Sequence, residues 1–256
     1  MLGSHHRLLL APLLVLLAAG CGSDAEPPAD RPAGMTDPTG TAPPTPGPPA
    51  SGAAAGDAAA SGLPTVVFLG DSLTAGYQLS EAQAWPALLE RRFAEDGLPF
   101  RAVNAGVSGD TSAGGLARLD WVLRARPDVV VVELGANDAM RGQDLEATEA
   151  NLRRILDRLR DEGVAALLVG LEIPPNYGPD YARSFSRLFP RLAEEYDLPL
   201  VPFLLAGVGG EPSLNLADGV HPNAEGHRRV AATVEPFLRP LVAEATAARA
   251  ATTAAK

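Results

Sequence analysis

The sequence predicts an α/β domain: five parallel strands, in the order 2-1-3-4-5, sandwiched between helices. Two observations predict it. Short apolar runs alternate with longer stretches of helical spacing five times between residues 63 and 242. One of those runs, DVVVVEL at 128–134, carries an unbroken series of valines, the pattern of a strand buried on both faces.

The elements follow in order. Residues 65–69 (TVVFL) form a β-branched and aromatic run that stops at Gly70, a buried strand. Residues 84–96 have helical spacing, with Trp85, Leu88, Leu89 and Phe93 on one face. A weaker second strand is expected at 100–104 and a helix at 113–124. After the valine strand, 145–162 reads as a helix with Leu152, Ile155, Leu156 and Leu159 along one side. Residues 165–171 (AALLVGL) make the fourth strand and 180–196 the next helix. The fifth strand, 198–203, is clipped by Pro199 and Pro202, which suits an edge. A last helix is expected over 223–241, distorted near its end by Pro236 and Pro240. The alanine-rich tail beyond it, 243–256, has nothing to pack and is expected to fray or remain disordered. No internal repeat is visible. The picture is a single doubly wound, flavodoxin-like domain over residues 63–242.

What precedes residue 63 has a different texture. Arg7 is followed by an apolar stretch at 8–19 interrupted by Pro12. Twelve residues are too few to span a membrane core, which takes about 20 in a helix, so residues 1–20 read as an export signal. The signal ends in Leu17-Ala18-Ala19-Gly20-Cys21, which resembles a bacterial lipobox, with Ala18 where leucine is usual. Cys21 is therefore the candidate lipidation site; Ala18 and Gly20 alone would also suit an ordinary signal peptidase and plain secretion. Residues 22–62 are almost entirely Ala, Pro, Gly, Ser, Thr and Asp. Such a segment buries too little apolar surface to offset its ordering entropy and reads as a tether, with a mean reach of roughly 30–40 Å.

Charge and cysteine usage narrow the function. Net charge is −10, and loss of Arg7 with the signal leaves 20 basic against 31 acidic residues. That balance argues against a nucleic-acid partner, which needs a basic face. The single cysteine allows no intrachain disulfide and no cysteine-built zinc site.

Three groups of residues carry candidate chemistry. The first is Gly70-Asp71-Ser72-Leu73, directly after the first strand. A serine there sits at a strand's carboxyl end, where doubly wound sheets place their sites. The same residues could simply cap a helix through Asp71 or Ser72. The second is Asp218-Gly219-Val220-His221-Pro222. A carboxylate three residues before a histidine, across a glycine turn, can hold the ring and support its charged form. The alternative is a turn closed by Asp218 with Pro222 opening a helix. His5 and His6 leave with the signal, so only His221 and His227 remain as imidazole bases. His227 lies inside the last helix beside Arg228 and Arg229 and reads as a solvated or packed helical residue. The third group comprises donors for an oxyanion: the N–H of Ser72, the N–H of Gly109 and the side-chain amide of Asn137. They follow three successive strands. Each alone is an ordinary loop residue, but in the order 2-1-3-4-5 they surround one crevice.

Taken in order, these segments resemble the four hallmark blocks of the SGNH (GDSL) hydrolase family. The resemblance covers residue 65 to about residue 241. It implies that Ser72 is the nucleophile, Gly109 and Asn137 the oxyanion glycine and asparagine, His221 the base and Asp218 its orienting acid. It is closest to the bacterial multifunctional thioesterase/lysophospholipase and arylesterase branch, through Ala84-Trp85-Pro86-Ala87-Leu88-Leu89, Ser108-Gly109-Asp110-Thr111-Ser112, Gly115-Leu116-Ala117-Arg118-Leu119 and Pro174-Pro175-Asn176-Tyr177-Gly178. Ala136 stands where a second glycine is common, and Thr74 where serine is common. Neither departure removes a catalytic group.

The resemblance implies hydrolysis of a carboxylic ester or thioester with no metal or cofactor. A histidine base implies loss of activity below roughly pH 6–7, where imidazole takes a proton. The expected partners are a small acyl-ester or lipid substrate and the membrane, the latter through Cys21; the domain is expected to act as a monomer. The loop at 172–179 (EIPPNYGP) is the candidate acyl-pocket wall or a plain connector. Two other functions fit the same residues: a catalytically silent anchored binding module, and an acyltransferase. A nucleotide-binding domain does not fit, since neither G-x-G-x-x-G nor G-x-x-x-x-G-K-[ST] follows the first strand.

Overall fold

A computed structural model describes residues 62–255. The expected export signal, the lipidation site Cys21 and the tether through residue 61 lie outside the described residues. Strand β1 (Thr65–Gly70) is an interior strand of a five-stranded sheet, with every residue buried. It pairs in parallel with β2 (Arg101–Gly106) on one side and β3 (Val129–Glu133) on the other. Strands β4 (Ala165–Val169) and β5 (Leu200–Val201) continue beyond β3, giving the expected order 2-1-3-4-5. The valines of β3 are all buried, as their continuous run requires. The registers put Gly70 opposite both Gly106 and Glu133, so the first three strands end level. The loops that leave them start from one line across the sheet.

Strand β5 is shorter than its apolar run. Pro199 and Pro202 lack an N–H and bracket the pair Leu200–Val201, whose ladder is completed by Leu168 N–H to Pro199 O and Gly170 N–H to Val201 O. Helices α2 (Trp85–Glu95) and α9 (Ala224–Ala254) pack together on one side of the sheet; α3 (Ser112–Ala117), α6 (Leu145–Asp161) and α8 (Leu188–Tyr196) form the other layer. The helix expected at 113–124 is two, α3 and α4 (Leu119–Arg124), joined at Arg118. The helix expected at 180–196 is likewise α7 (Pro179–Ser186) and α8, joined at Arg187.

The largest correction concerns the carboxyl-terminal helix. It does not end near residue 241 but runs to Ala254 through both prolines, and the tail beyond 243 is part of it. A proline inside a helix costs about 3 kcal/mol. Against that, Val230, Val234, Leu238 and Val242 recur every four residues and are all buried, each worth about 1.5–3 kcal/mol. The added length has a partner as well: Arg249 forks onto Asp128, with Nε to Oδ1 at 2.9 Å and Nη2 to Oδ2 at 2.8 Å. No helix among the described residues is long and apolar enough to cross a membrane.

His227 is packed rather than solvated. It is 1% exposed, and its Nδ1 accepts the main-chain N–H of Trp85 at 3.2 Å, one of the donors that α2 leaves open at its start. Trp85 in turn donates its indole N–H to Leu73 O at 3.0 Å. The last helix is thus tied through α2 to the segment that follows β1. Burial holds His227 down to about 4, against 6.5 when solvated. The folded state therefore favours the neutral ring, and its contribution is fully present above pH 6.5 and lost as pH falls toward 4. The loss is on the order of 3 kcal/mol. Urea unfolding at pH 7 and pH 4 is expected to show a shallower acid loss for His227→Gln than for the wild type; equal losses would remove His227 from the account.

Candidate active site

Ser72 is the first residue of α1 (Ser72–Ala75), the short helix that follows β1. Asp71, not Ser72, caps that helix: its Oδ1 accepts the N–H of Leu73 at 2.9 Å. The two readings of the Gly70-Asp71-Ser72-Leu73 segment thus apply to different residues, and the serine hydroxyl is left for another partner. That partner is His221, whose Nε2 lies 2.9 Å from Ser72 Oγ. Close approach of α1 to the sheet depends on Gly106, where a Cβ would stand 2.2 Å from Ala75 N.

The histidine is held by its own turn. Asp218 Oδ2 is 2.8 Å from His221 Nδ1, while Oδ1 accepts the main-chain N–H groups of Val220 at 2.9 Å and His221 at 3.0 Å. These bonds, led by the His221 N–H, hold the Asp218 carboxyl down to about 2. Asp218 stays ionised wherever an imidazole titrates, so an acid limb in activity would not be its own. The turn is pinned at its base by Leu216 N–H to His221 O and by a bridge between Asn215 and Pro222. Tyr77 lies over the imidazole, with ring centroids 4.4 Å apart.

Asn137 sits in the first turn of α5 (Ala136–Met140), after β3. Its Nδ2 donates to Asp71 Oδ2 at 2.9 Å, which leaves the second amide hydrogen unused by that bond. Gly109 lies in the loop after β2 with φ of +79°, a conformation that costs glycine little and other residues more. The main-chain N–H groups of Ser72 and Gly109 have no acceptor among the described residues. Two arginines fix the Gly109 loop. Arg118 donates from Nε to Asp110 Oδ2 at 2.7 Å and from Nη2 to Gly70 O at 2.9 Å, and Arg141 Nη2 reaches Gly109 O at 2.8 Å. Buried Asp138 joins the same loop to α5 by accepting the N–H of Ser112 at 2.8 Å.

The structure therefore brings Ser72, His221 and Asp218 into one hydrogen-bonded chain and sets Gly109 and Asn137 on the two neighbouring strand ends. The loop at 172–179 makes no hydrogen bond to these residues among the described ones; it buries Ile173 and exposes Tyr177. Sequence reading missed Asp110, Arg118, Asp138 and Tyr77, whose partners lie at spacings that no local pattern marks. It also missed Glu133, although a charge closing an all-valine strand was a visible signal.

A hydroxyl bonded to an imidazole that is backed by a carboxylate, with open N–H groups nearby, is equipped to attack an acyl carbonyl. The chain belongs to the GDSL-like lipase/acylhydrolase family, whose profile matches residues 68–229. It is 45% identical over 179 residues to the esterase TesA of Pseudomonas aeruginosa, covering 70% of this chain and 89% of that one. It is 42% identical over 184 residues to thioesterase 1/protease 1/lysophospholipase L1 of Escherichia coli, covering 72% and 87%. A crystal structure of TesA matches with a TM-score of 0.67 at 45% identity, covering 69% of this chain and 99% of that one. The chain is thus a carboxylic-ester hydrolase with the fold of that family.

Proposed function

We propose that the chain is a serine esterase that hydrolyses the ester or thioester bonds of small acyl, aryl or lysophospholipid substrates, with Ser72 as nucleophile, His221 as base and Asp218 as orienting acid. The observation that carries this reading is the continuous chain Ser72 Oγ, His221 Nε2, His221 Nδ1, Asp218 Oδ2, with steps of 2.9 and 2.8 Å on either side of the ring.

In this reading His221 Nε2 takes the Ser72 proton as Oγ bonds to the carbonyl carbon. The carbonyl oxygen becomes an oxyanion, and the N–H groups of Ser72 and Gly109 and the free amide hydrogen of Asn137 donate to it. The C–O or C–S bond then breaks as His221 passes its proton to the leaving alcohol or thiol. Water repeats the sequence on acyl-Ser72 and releases the acid. Tyr77, exposed and packed over His221, gives the crevice an apolar border suited to an acyl or aryl group. The loop at 172–179 remains the proposed acyl-pocket wall. We further place the enzyme outside the cytoplasm, anchored through lipidated Cys21 and acting as a monomer without a nucleic-acid partner.

Turnover of p-nitrophenyl esters of increasing acyl length, run beside lysophospholipid with and without an acceptor alcohol, tests the proposal. Release of free acid without an acceptor is expected. Acyl transfer with no free acid would favour the acyltransferase, and binding without turnover the silent module.

A further inference from the structure

Glu133, the last residue of β3, is fully buried and has no part in the reaction sequence above. Its Oε2 accepts the Asp71 main-chain N–H at 3.2 Å and the Thr74 hydroxyl at 2.7 Å. Its Oε1 is also buried and has no hydrogen-bond partner among the described residues, and the charge of the neighbouring Asp71 carboxyl acts on it. The approach is built into the backbone: a Cβ on Gly70 would stand 2.5 Å from Glu133 Oε2.

The charge of Asp71 disfavours ionisation of Glu133, while the charge of His221 favours that of Asp71, so the two buried carboxyls hold a single negative charge between them. A proton must lie between them, and the donors decide where. Both oxygens of Asp71 already accept N–H groups, Oδ1 from Leu73 and Oδ2 from Asn137. On Glu133 only Oε2 accepts main-chain and hydroxyl donors, so Oε1 is the oxygen with room for a proton. Burial, followed by the charge of Asp71, pushes Glu133 well above the usual carboxylate range, which agrees with that placement.

We infer that Glu133 is a positioning residue of the crevice: held as the neutral acid, it donates its Oε1 proton to Asp71 and so keeps Asp71 a charged acceptor that aims the Asn137 amide at the oxyanion. The inference rests on the proposed role of Asn137 as an oxyanion donor. One side chain thereby couples the start of the Ser72 helix, through Asp71 and Thr74, to the Asn137 turn. The acid is a better fit than a carboxylate because it supplies a donor on one oxygen and an acceptor on the other.

Glu133→Met removes both functions at similar volume, and Glu133→Gln restores them, an amide N–H replacing the acid O–H. The Met variant is expected to lose on the order of 10- to 100-fold in kcat on a p-nitrophenyl ester. Its KM should stay within about twofold, and the Gln variant should recover to within about threefold of wild-type kcat. A Gln variant as slow as Met, or a Met variant as fast as wild type, would overturn the inference. The infrared spectrum of the wild-type protein at neutral pH gives a second reading that does not depend on folding of the Met variant. It should contain the carbonyl band of a buried protonated carboxylic acid that disappears in Glu133→Gln, and absence of that band overturns the assignment. If instead Asn137 is not an oxyanion donor, Asn137→Ala will keep wild-type kcat while the band persists, so the two failures are distinguishable.

Discussion

Ser72→Ala is expected to reduce ester hydrolysis by about 10⁴- to 10⁶-fold and to leave the fold intact. The fold should survive because the hydroxyl has no structural duty. Helix α1 is capped by Asp71 and further anchored by the Trp85 indole bonded to Leu73 O at 3.0 Å and by the Thr74 hydroxyl bonded to Glu133 at 2.7 Å. Among the described residues the only partner of Ser72 Oγ is the imidazole 2.9 Å away. His221→Ala should cost about as much, and the double variant no more than either alone, because nucleophile and base act as one unit. Steady-state turnover of the three variants on one p-nitrophenyl ester, beside their circular dichroism, checks this. Multiplying losses, or an active Ser72→Ala protein, would contradict a shared role.

Asp218→Asn should cost about 10³- to 10⁴-fold in kcat although it changes only one polar atom. Asparagine can still accept the N–H groups of Val220 and His221 through its oxygen. Its NH₂ group, however, would face His221 Nδ1 across the 2.8 Å contact that Oδ2 now makes. The ring would then present a lone pair at Nδ1 and its hydrogen at Nε2, where the Ser72 proton must be received. The sign of the pH effect follows from the same bonds. The Asp218 carboxyl is held down to about 2, so what it adds to stability is present above 3.8 and lost only as pH falls through about 2. With a side chain 37% exposed, that contribution is screened by solvent. An acid limb of kcat/KM between pH 4 and 9 is therefore not that of Asp218, and full activity of Asp218→Asn would assign ring orientation to another group.

Much of the fold was legible because burial leaves a local mark. The valines of β3, the run ahead of Gly70 and the apolar side of α6 each announce their element by period or continuity. The carboxyl-terminal helix was not legible past residue 241. Alanines look unable to pack until Val242 is seen buried, and the pairing of Arg249 with Asp128 spans 121 residues. The break at Arg118 was hidden for the same kind of reason: its side chain reaches Gly70 O, 48 residues earlier. At the site, the residues held by short-range spacing were readable, namely Ser72 after its strand and Asp218 three residues before His221. Their supports were not. Tyr77 over His221, Asp138 under Ser112 and Glu133 against Asp71 are set by where strands end side by side, and strand register has no local signature.

The central claim is that Ser72 is an activated nucleophile. Incubation of the full chain with a fluorophosphonate, followed by mass spectrometry of the digested protein, addresses it most directly. One adduct per chain on the peptide containing Ser72 is expected, formed rapidly in the wild type and lost in His221→Ala. Inhibition of hydrolysis with Ser72 unmodified, or equal labelling in His221→Ala, would contradict the claim.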